Sequence, residues 1–374
     1  MRTLHRVHFQ DSRQMSAVPN AGAGLVVTSP PYPMIAMWDG QFEAGDAAVG
    51  KALGRGDGWA AFEGMHRSLD RVWEEVHRIL MPGGFACVNI GDAVRSVGGS
   101  FALYPNHVRL LSRLVAIGFT PLPAILWRKP TNSPNKFMGS GMLPAGAYVT
   151  LEHEYVLVVR KGGKREFAAA ADKQRRRESA LFWEERNAWY SDVWMELRGA
   201  RQALGDRAVR RRSGAFPFEL AYRLISMFSV KGDTVVDPFL GTGTTLMAAA
   251  ASGRHGIGFE IAPELAPAVF ADPGGVARIA NERIRRRIED HLAFVADCRR
   301  TGRALSHRNR PYGFPVVTGQ ETELLLNPVL SVSRLPPDGF EARYEENPHA
   351  VFDLDPGPDD AGRPPERSAQ LNLF

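Results

Sequence analysis

The segment from residue 234 to residue 260 constrains the fold of this chain more than any other. A strand is predicted over residues 234–237, a helix over 245–251 and a second strand over 257–260, and a Gly-Thr loop joins the first strand to the helix. Strands that are apolar throughout are typical of a parallel sheet covered by helices on both faces. The segment therefore predicts a β-α-β unit of an α/β domain.

The chain on both sides of this unit shows the same alternation of elements. Strands are predicted over residues 4–9, 24–27, 85–90, 124–127 and 155–159, and helices over residues 62–79, 103–117, 218–228 and 276–295. In the first helix the apolar residues recur at three- and four-residue spacing, which is the period of an amphipathic helix. Residues 39–58 are rich in glycine and are predicted to form a loop insertion, and Pro82-Gly83-Gly84 is predicted to end the first helix. The alternation predicts a doubly wound, mostly parallel sheet.

In the β-α-β unit of residues 234–260, the loop between the first strand and the helix has the composition of a cofactor site. Its sequence, from Asp237 to Thr245, is Asp-Pro-Phe-Leu-Gly-Thr-Gly-Thr-Thr. Glycines at this place let the backbone approach a ligand at the N-terminus of a helix. Glu260 ends the next strand, where a carboxylate can accept hydrogen bonds from both ribose hydroxyls. The pattern predicts a nucleoside cofactor, and a nicotinamide dinucleotide stays open although its third glycine is absent.

A second motif, Thr28-Ser29-Pro30-Pro31-Tyr32, directly follows a predicted buried strand. The two prolines fix φ and remove two N–H donors, so rigid carbonyl acceptors remain. A serine hydroxyl and a proline carbonyl that face one point would clamp an NH₂ group, and an aromatic ring beside them would stack on a planar base. Two acceptors on the hydrogens of an exocyclic amine would free its delocalised lone pair, which is preorganised electrostatic catalysis.

The two motifs, in this order, resemble those of the DNA amino-methyltransferases that use S-adenosylmethionine, in the permuted arrangement of the beta group. Residues 82–92, 154–161, 191–194 and 216–225 are similar to the intermediate blocks of that family, and the resemblance covers about residues 1–295. It implies a Rossmann-like, permuted class I methyltransferase fold with an inserted target-recognition region. It also implies S-adenosyl-L-methionine as the cofactor and double-stranded DNA as the partner.

The resemblance assigns roles residue by residue. Ser29, Pro30, Pro31 and Tyr32 are similar to the catalytic clamp and stacking ring. The residues that are similar to the cofactor site are Asp11, Phe218, Asp237, Phe239, Gly241, Gly243, Thr244 and Glu260. Serine at position 29 goes with cytosine N4 in this family, so the expected enzyme is a cytosine-N4-specific DNA methyltransferase of a restriction-modification system. The alternatives are an adenine-N6 enzyme and a non-catalytic DNA-binding protein.

Residues 162–213 are the candidate DNA-gripping region. They contain thirteen Lys or Arg against eight Asp or Glu, a surplus equal to the net charge of +5 of the whole chain. Arg175, Arg176 and Arg177 and the run Arg210, Arg211 and Arg212 are the candidate phosphate contacts. An enzyme that methylates a base amine must swing the nucleotide out of the duplex, so it needs such a surface.

The chain is therefore divided by prediction into five parts. Residues 1–161 form the catalytic half, 162–213 the target-recognition region, 214–300 the cofactor-binding half, 301–352 a C-terminal extension and 353–374 a disordered tail. The last five residues, with Gln370, Leu371, Leu373 and Phe374, resemble the peptide by which bacterial proteins bind the replication sliding clamp.

The composition of the chain indicates the cellular compartment in which the protein works. The only cysteines, Cys87 and Cys298, are too few for a disulfide framework and too distant in sequence to suggest a metal site. Neither a membrane span nor a signal peptide is predicted. We expect a cytoplasmic enzyme.

Overall fold

The computed structural model describes residues 1–129, 148–197, 216–270 and 273–347. Its strands are β1 Arg2–His8, β2 Ala23–Thr28, β3 Leu80–Ile90, β4 Ala93–Val97, β5 Ser100–Tyr104, β6 Phe119–Pro121, β7 Ile125–Arg128, β8 His153–Lys161, β9 Val193–Trp194, β10 Thr234–Asp237, β11 His255–Phe259, β12 His307–Arg308, β13 Pro315–Val316, β14 Val329–Leu335 and β15 Gly339–Tyr344. Its α-helices are α1 Asp39–Gly45, α2 Ala47–Gly54, α3 Gly58–Ile79, α4 Asn106–Ala116, α5 Ala170–Glu178, α6 Trp183–Trp189, α7 Phe218–Phe228, α8 Thr244–Ala251, α9 Ala266–Val269 and α10 Pro273–Arg300.

One large mixed sheet organises the described residues. Its order is β14-β15-β1-β11-β10-β2-β3-β8-β7-β9, and β6 pairs with β8. The five central strands β1, β11, β10, β2 and β3 are parallel to their neighbours, while β15 and β8 flank them in antiparallel orientation. The carboxyl ends of the central strands, at His8, Thr28, Ile90, Asp237 and Phe259, therefore meet along one side, called here the carboxyl edge. The opposite side is the amino edge.

Both faces of the sheet are covered, as the apolar strands predict. Leu25 and Val27 of β2 point into a core shared with α7, α8 and α10, whereas Val26 points into a core shared with α3 and α4. Neighbouring strands alternate in the same way, for example Val235 and Val236 of β10. The prediction of a doubly wound, mostly parallel α/β sheet is confirmed.

Two local predictions are wrong. Residues 39–58 form α1 and α2 rather than a loop, because Phe42, Val49 and Ala52 are buried in the core and Asp46 caps α2 by accepting from Ala48 N at 2.9 Å. Pro82-Gly83-Gly84 does not separate helix from strand, since β3 begins at Leu80 directly after α3 and includes these residues. Gly83 has φ of 79°, and a Cβ there would lie 2.5 Å from Arg165 N.

The region after residue 311, whose sequence shows little periodicity, adds to the sheet. The β14–β15 hairpin pairs through β15 with β1. Val329, Phe340 and Tyr344 of this hairpin are buried in the core. The extension from residue 301 is thus part of the packed domain as far as residue 347.

Three of the aromatic residues between 162 and 197, namely Phe182, Trp189 and Trp194, pack inward, whereas Tyr190 is exposed. Trp189 and Trp194 are buried in the main core, and β9, which contains Trp194, pairs with β7. Phe182 is buried against α10 and stacks on His291 with 4.1 Å between ring centroids. A membrane span is not found among the helices of the described residues, each of which is too short or too polar.

Candidate active site

The Ser29-Pro30-Pro31-Tyr32 motif lies at the carboxyl edge, immediately after β2. All six residues of β2 are buried, and the ladder ends where the prolines lack N–H donors. Ser29 and Tyr32 are half-buried and Pro30 and Pro31 are buried. The Ser29 hydroxyl donates to Tyr32 Oη at 3.0 Å. Because its proton is used in this way, the Ser29 oxygen is left as a hydrogen-bond acceptor for a ligand.

The Tyr32 hydroxyl is held by residues of two strands, β3 and β8. It donates to Glu154 Oε2 of β8 at 2.9 Å and accepts from Asn89 Nδ2 of β3 at 2.7 Å. Asn89 Nδ2 also donates to Glu154 Oε2 at 2.7 Å, and Lys129 Nζ donates to Glu154 Oε1 at 2.8 Å. Burial and the charge of Glu154 raise the pKa of Tyr32 well above its ordinary value. The phenol therefore keeps its proton at neutral pH.

Gly91 provides the space for the Tyr32 ring. A Cβ at position 91 would lie 3.0 Å from Tyr32 Cε2 and 3.3 Å from Glu154 Cγ. Asn89, Gly91 and Glu154 lie in segments that resemble the family's intermediate blocks but carry no predicted role, and Lys129 lies outside those segments. Their polar or small residue types at the ends of apolar strands are the only local signal that marks them.

Asp237 joins the Thr28–Tyr32 motif, called here the base motif, to the loop of residues 237–245, called here the cofactor loop. Its Oδ1 accepts from Thr28 Oγ1 at 2.5 Å and from Phe239 N at 3.0 Å, and its Oδ2 accepts from Thr245 Oγ1 at 2.5 Å. Burial raises the pKa of Asp237 to about 6, although these hydrogen bonds favour the ionised form. Both carboxylate oxygens are thus occupied by protein donors, so the side chain positions the two motifs relative to each other.

The glycines of the loop adopt conformations that suit glycine. Gly241 has φ of 56° and Gly243, the N-cap residue of α8, has φ of 88°. A Cβ at Gly243 would meet Val269 Cγ1 at 3.2 Å, whereas a Cβ at Gly241 would meet no described heavy atom within 4 Å. The loop therefore has an open side over Gly241, next to the N-terminus of α8, which begins at Thr244.

Glu260 lies beside this open side. Its Oε2 accepts from Gly241 N at 2.8 Å and its Oε1 accepts from Ala262 N at 2.9 Å. Burial raises the pKa of Glu260, the two backbone N–H groups lower it, and the charge of Asp237 raises it. Each oxygen of an ionised carboxylate can accept a further hydrogen bond. The chemistry of the open loop and of this carboxylate fits a nucleoside with a ribose diol.

Three more residues of the predicted cofactor site, Phe239, Phe218 and Asp11, have the following contacts. Phe239 packs at the edge of the core, with its ring 6.0 Å from that of Trp73. Phe218 begins α7 and stacks on Tyr222 at 5.6 Å. Asp11 follows β1 and is paired with Arg13, whose Nη2 lies 2.5 Å from Asp11 Oδ2. Burial raises the pKa of Asp11, but the hydrogen bonds from Arg13 outweigh it and lower the pKa overall.

The structure does not bring Arg175, Arg176 and Arg177 to this site. They lie on α5, which packs at the amino edge. This position follows from the contact of Ser179, the C-cap residue of α5, with the segment just before β10: Lys231 N donates to Ser179 Oγ at 2.9 Å. Arg175 pairs with Asp172, the Arg176 guanidinium lies 4.8 Å from the Phe167 ring centroid, and Arg177 is 3.9 Å from Glu323 Oε1. Their contact with DNA stays a prediction, and it requires DNA to reach the edge opposite the base motif.

Several predicted residues lie outside the described part of the chain. These are Arg210, Arg211, Arg212, Gln370, Leu371, Leu373 and Phe374. Within the described ranges, no three His, Cys, Asp or Glu side chains are grouped as metal ligands.

Known proteins are similar to this chain over most of its length. The family model for DNA methylases of the N6/N4 class matches residues 23–270. The Type II methyltransferase M.MthZI of Methanothermobacter thermautotrophicus is 45% identical over 347 residues, which are 92% of this chain and 96% of that protein. The Type II methyltransferase M.MjaI of Methanocaldococcus jannaschii is 45% identical over 284 residues, which are 71% of this chain and 90% of that protein.

The solved structure of a similar protein contains a bound cofactor. TTHA0409 of Thermus thermophilus, in complex with S-adenosyl-L-methionine, is similar with a TM-score of 0.56 and 33% identity, and the match covers 73% of this chain and 93% of that chain. The family match extends from the first residue of β2 to residue 270, so it includes both motifs. S-adenosyl-L-methionine is the cofactor. The chain belongs to the N6/N4 DNA methylase family, and it is a DNA amino-methyltransferase of the beta group.

Proposed function

We propose that this DNA methyltransferase transfers the methyl group of S-adenosyl-L-methionine to the exocyclic N4 of a cytosine flipped out of duplex DNA. The observation that carries the proposal is serine at position 29, with its hydroxyl proton donated to Tyr32 Oη at 3.0 Å. In this family, serine at the acceptor position goes with cytosine, and its short side chain suits a smaller ring held deeper in the pocket.

The clamp activates the amine without a covalent intermediate. The Ser29 Oγ and the Pro30 carbonyl accept the two amine hydrogens, while the Tyr32 ring stacks on the base. Acceptors on both hydrogens draw the nitrogen toward tetrahedral geometry, so its lone pair is no longer delocalised into the ring. Tyr32 is kept in place by Asn89 and Glu154, so the acceptors need no rearrangement during the reaction.

The residues of the cofactor site bind and orient S-adenosyl-L-methionine and take no part in the chemistry. S-adenosyl-L-methionine supplies an electrophilic methyl group on sulfur when it is bound. The open side at Gly241 would leave room for the cofactor against the loop, and Glu260 would hold the ribose hydroxyls. By resemblance to the family, Phe218, Phe239, Gly243 and Thr244 would line the same site, and Asp11 would face the adenine amine. Asp237 acts indirectly, since Thr28, Thr245 and Phe239 N use both of its oxygens.

The biological role follows from the relatives. Both M.MthZI and M.MjaI are named Type II methyltransferases and cover most of this chain. We propose that the protein is likewise the modification enzyme of a type II restriction-modification system and that it acts in the cytoplasm. It would protect host DNA at the sequence that its partner nuclease cuts.

The experiment is a methyl-transfer assay with labelled S-adenosyl-L-methionine and mixed-sequence duplex DNA, followed by nucleoside mass spectrometry. N4-methylcytosine is expected, and N6-methyladenine as the product would refute the choice of base. Ser29→Ala should slow the transfer by about 10²-fold or more with cofactor binding unchanged, because one preorganised acceptor is lost. Ser68→Ala is the matched control, since it removes a half-buried hydroxyl on α3 whose hydrogen bond among the described residues is to Gly64 O of the same helix.

A further inference from the structure

The reaction must dispose of a proton. A base amine carries two hydrogens, and the methylated product keeps one of them, so one proton leaves as the N–C bond forms. Ser29 Oγ is the nearest proposed acceptor, but its own proton already points to Tyr32 Oη at 3.0 Å. Ser29 can therefore take a proton from the amine only if it passes its own proton onward.

The onward route is visible as a chain of hydrogen bonds. Ser29 Oγ donates to Tyr32 Oη, and Tyr32 Oη donates to Glu154 Oε2 at 2.9 Å. Every donor in this chain points away from the amine, and the chain ends on a carboxylate. Both hydroxyl groups are in position to give one proton and receive another.

We propose that Glu154 accepts the proton of the target amine through Ser29 and Tyr32. This inference rests on the proposed role of Ser29 as acceptor, and it does not depend on whether the amine belongs to cytosine or adenine, because both lose one proton. Glu154 does not touch the base, so it is a positioning residue and the terminal proton acceptor rather than part of the clamp.

Atoms and electrons balance in this step. The amine lone pair forms the N–C bond, and the C–S bond breaks with its electron pair left on sulfur. The amine proton moves to Ser29 Oγ, the Ser29 proton moves to Tyr32 Oη, and the Tyr32 proton moves to Glu154 Oε2. Ser29 and Tyr32 end neutral with a proton each, and Glu154 ends as a neutral acid that releases its proton to solvent in exchange.

The contacts of Glu154 fit the end of a proton path. Lys129 Nζ, just after β7, donates to Oε1 at 2.8 Å and stabilises the carboxylate. Asn89 of β3 directs both hydrogens of its amide toward Tyr32 Oη and Glu154 Oε2, each at 2.7 Å. In the opposite orientation, the Asn89 carbonyl would face the carboxylate, which would be repulsive. Asn89 therefore keeps Tyr32 Oη pointing its own proton at Glu154.

Two further acidic groups near the motif, Asp237 and Asp92, are already in use; Asp237 accepts from Thr28 Oγ1 and Thr245 Oγ1. Asp92 follows Gly91, and its oxygens accept from His107 N at 3.0 Å and face His107 Nδ1 at 2.7 Å. The His107 ring in turn stacks on Tyr155 at 3.8 Å. Among the described residues, Asp92 has no hydrogen bond to Ser29 or Tyr32, whereas Glu154 bonds directly to Tyr32.

The test measures single-turnover methyl transfer, with enzyme in excess over duplex DNA, for Glu154→Gln and Glu154→Ala. Glu152→Gln is the matched control, because Glu152 is a nearby carboxylate that pairs with Arg128 and is outside the chain of hydrogen bonds. Glu154→Gln keeps an acceptor for Tyr32 Oη but cannot take a proton. We expect it to slow methyl transfer on the order of 10²-fold with cofactor and DNA affinities unchanged, whereas Glu152→Gln keeps the wild-type rate.

Chemical rescue separates proton acceptance from packing. Formate should restore much of the rate of Glu154→Ala, whereas formamide, which has the same shape and no basic oxygen, should not. Equal rescue by both compounds, or Glu154→Gln turnover within about 3-fold of wild type on the scale of general-base effects, would overturn the proposal. If Glu154→Ala does not fold, the rate of Glu154→Gln decides alone. Full activity of Ser29→Ala would instead contradict the proposed function.

Discussion

Replacing Asp237 by asparagine should raise the free energy of unfolding of this protein at neutral pH. The substitution removes a buried carboxyl group whose ionisation destabilises the folded state. The Asp237 carboxylate is buried between the base motif and the cofactor loop, where burial raises its pKa from 3.8 to about 6. A raised pKa means that the folded protein holds the proton more tightly than the unfolded chain does. Stability from this group is therefore complete below pH 4 and is lost as the pH rises through about 6.

The size of the effect follows from the shift. A change of one pKa unit corresponds to about 1.4 kcal/mol, so a shift of about two units costs about 3 kcal/mol of the free energy of unfolding above pH 6. Asparagine has nearly the same shape and can keep the local hydrogen bonds. Its oxygen accepts from Thr28 Oγ1 and Phe239 N, while Thr245 Oγ1 changes from donor to acceptor.

The assay is urea unfolding, followed by tryptophan fluorescence, of wild type and Asp237→Asn at several pH values from 4 to 8. Groups that titrate equally in both proteins cancel in the difference. The variant should gain about 2.4 kcal/mol relative to wild type between pH 4 and pH 7, which is most of the full effect. Asp297→Asn, which removes an exposed carboxylate of α10, is the matched control. A difference that does not change with pH, or that falls as pH rises, would refute the reasoning.

Four further predictions concern the site, the DNA surface and the C-terminus. Glu260→Gln should weaken S-adenosyl-L-methionine binding by about 1.5–3 kcal/mol in calorimetric titration, because a charge-assisted hydrogen bond to the ribose is lost, and unchanged affinity would place the ribose elsewhere. Gly91→Ala should slow methyl transfer with little change in cofactor affinity, since its Cβ would lie 3.0 Å from Tyr32 Cε2, and wild-type turnover would mean that the ring shifts freely. If Arg175–Arg177 contact phosphates, replacing them with glutamine should lower the log–log salt slope of DNA binding by about 0.9 for each contact, and an identical slope would remove them from the DNA surface. A labelled peptide of residues 360–374 should bind purified sliding clamp with micromolar affinity that is lost on Leu373→Ala with Phe374→Ala, and no binding at about 100 μM, near −5.5 kcal/mol, would end that idea.

The local elements of this protein could be predicted from sequence where each depends on neighbours along the chain. The strand Thr234–Asp237, the loop with Gly241 and Gly243, and the helix that follows are recognisable because apolar runs and glycines determine backbone conformation over a few residues. The Pro-Pro pair likewise determines where β2 ends. The resemblance to the methyltransferase family then predicted the cofactor, because that resemblance depends on the same short motifs.

The tertiary structure alone decided which side chains complete the site. Asn89 is 57 residues from Tyr32 and Glu154 is 122 residues from it, yet all three meet because β2 pairs with β3 and β3 pairs with β8. Asp237 meets Thr28 across 209 residues for the same kind of reason. The α5 arginines also look like part of a DNA surface in the sequence, but packing places α5 at the amino edge. Strand order and register arise from burial on both faces of the sheet, a property of the whole domain that a local pattern does not contain.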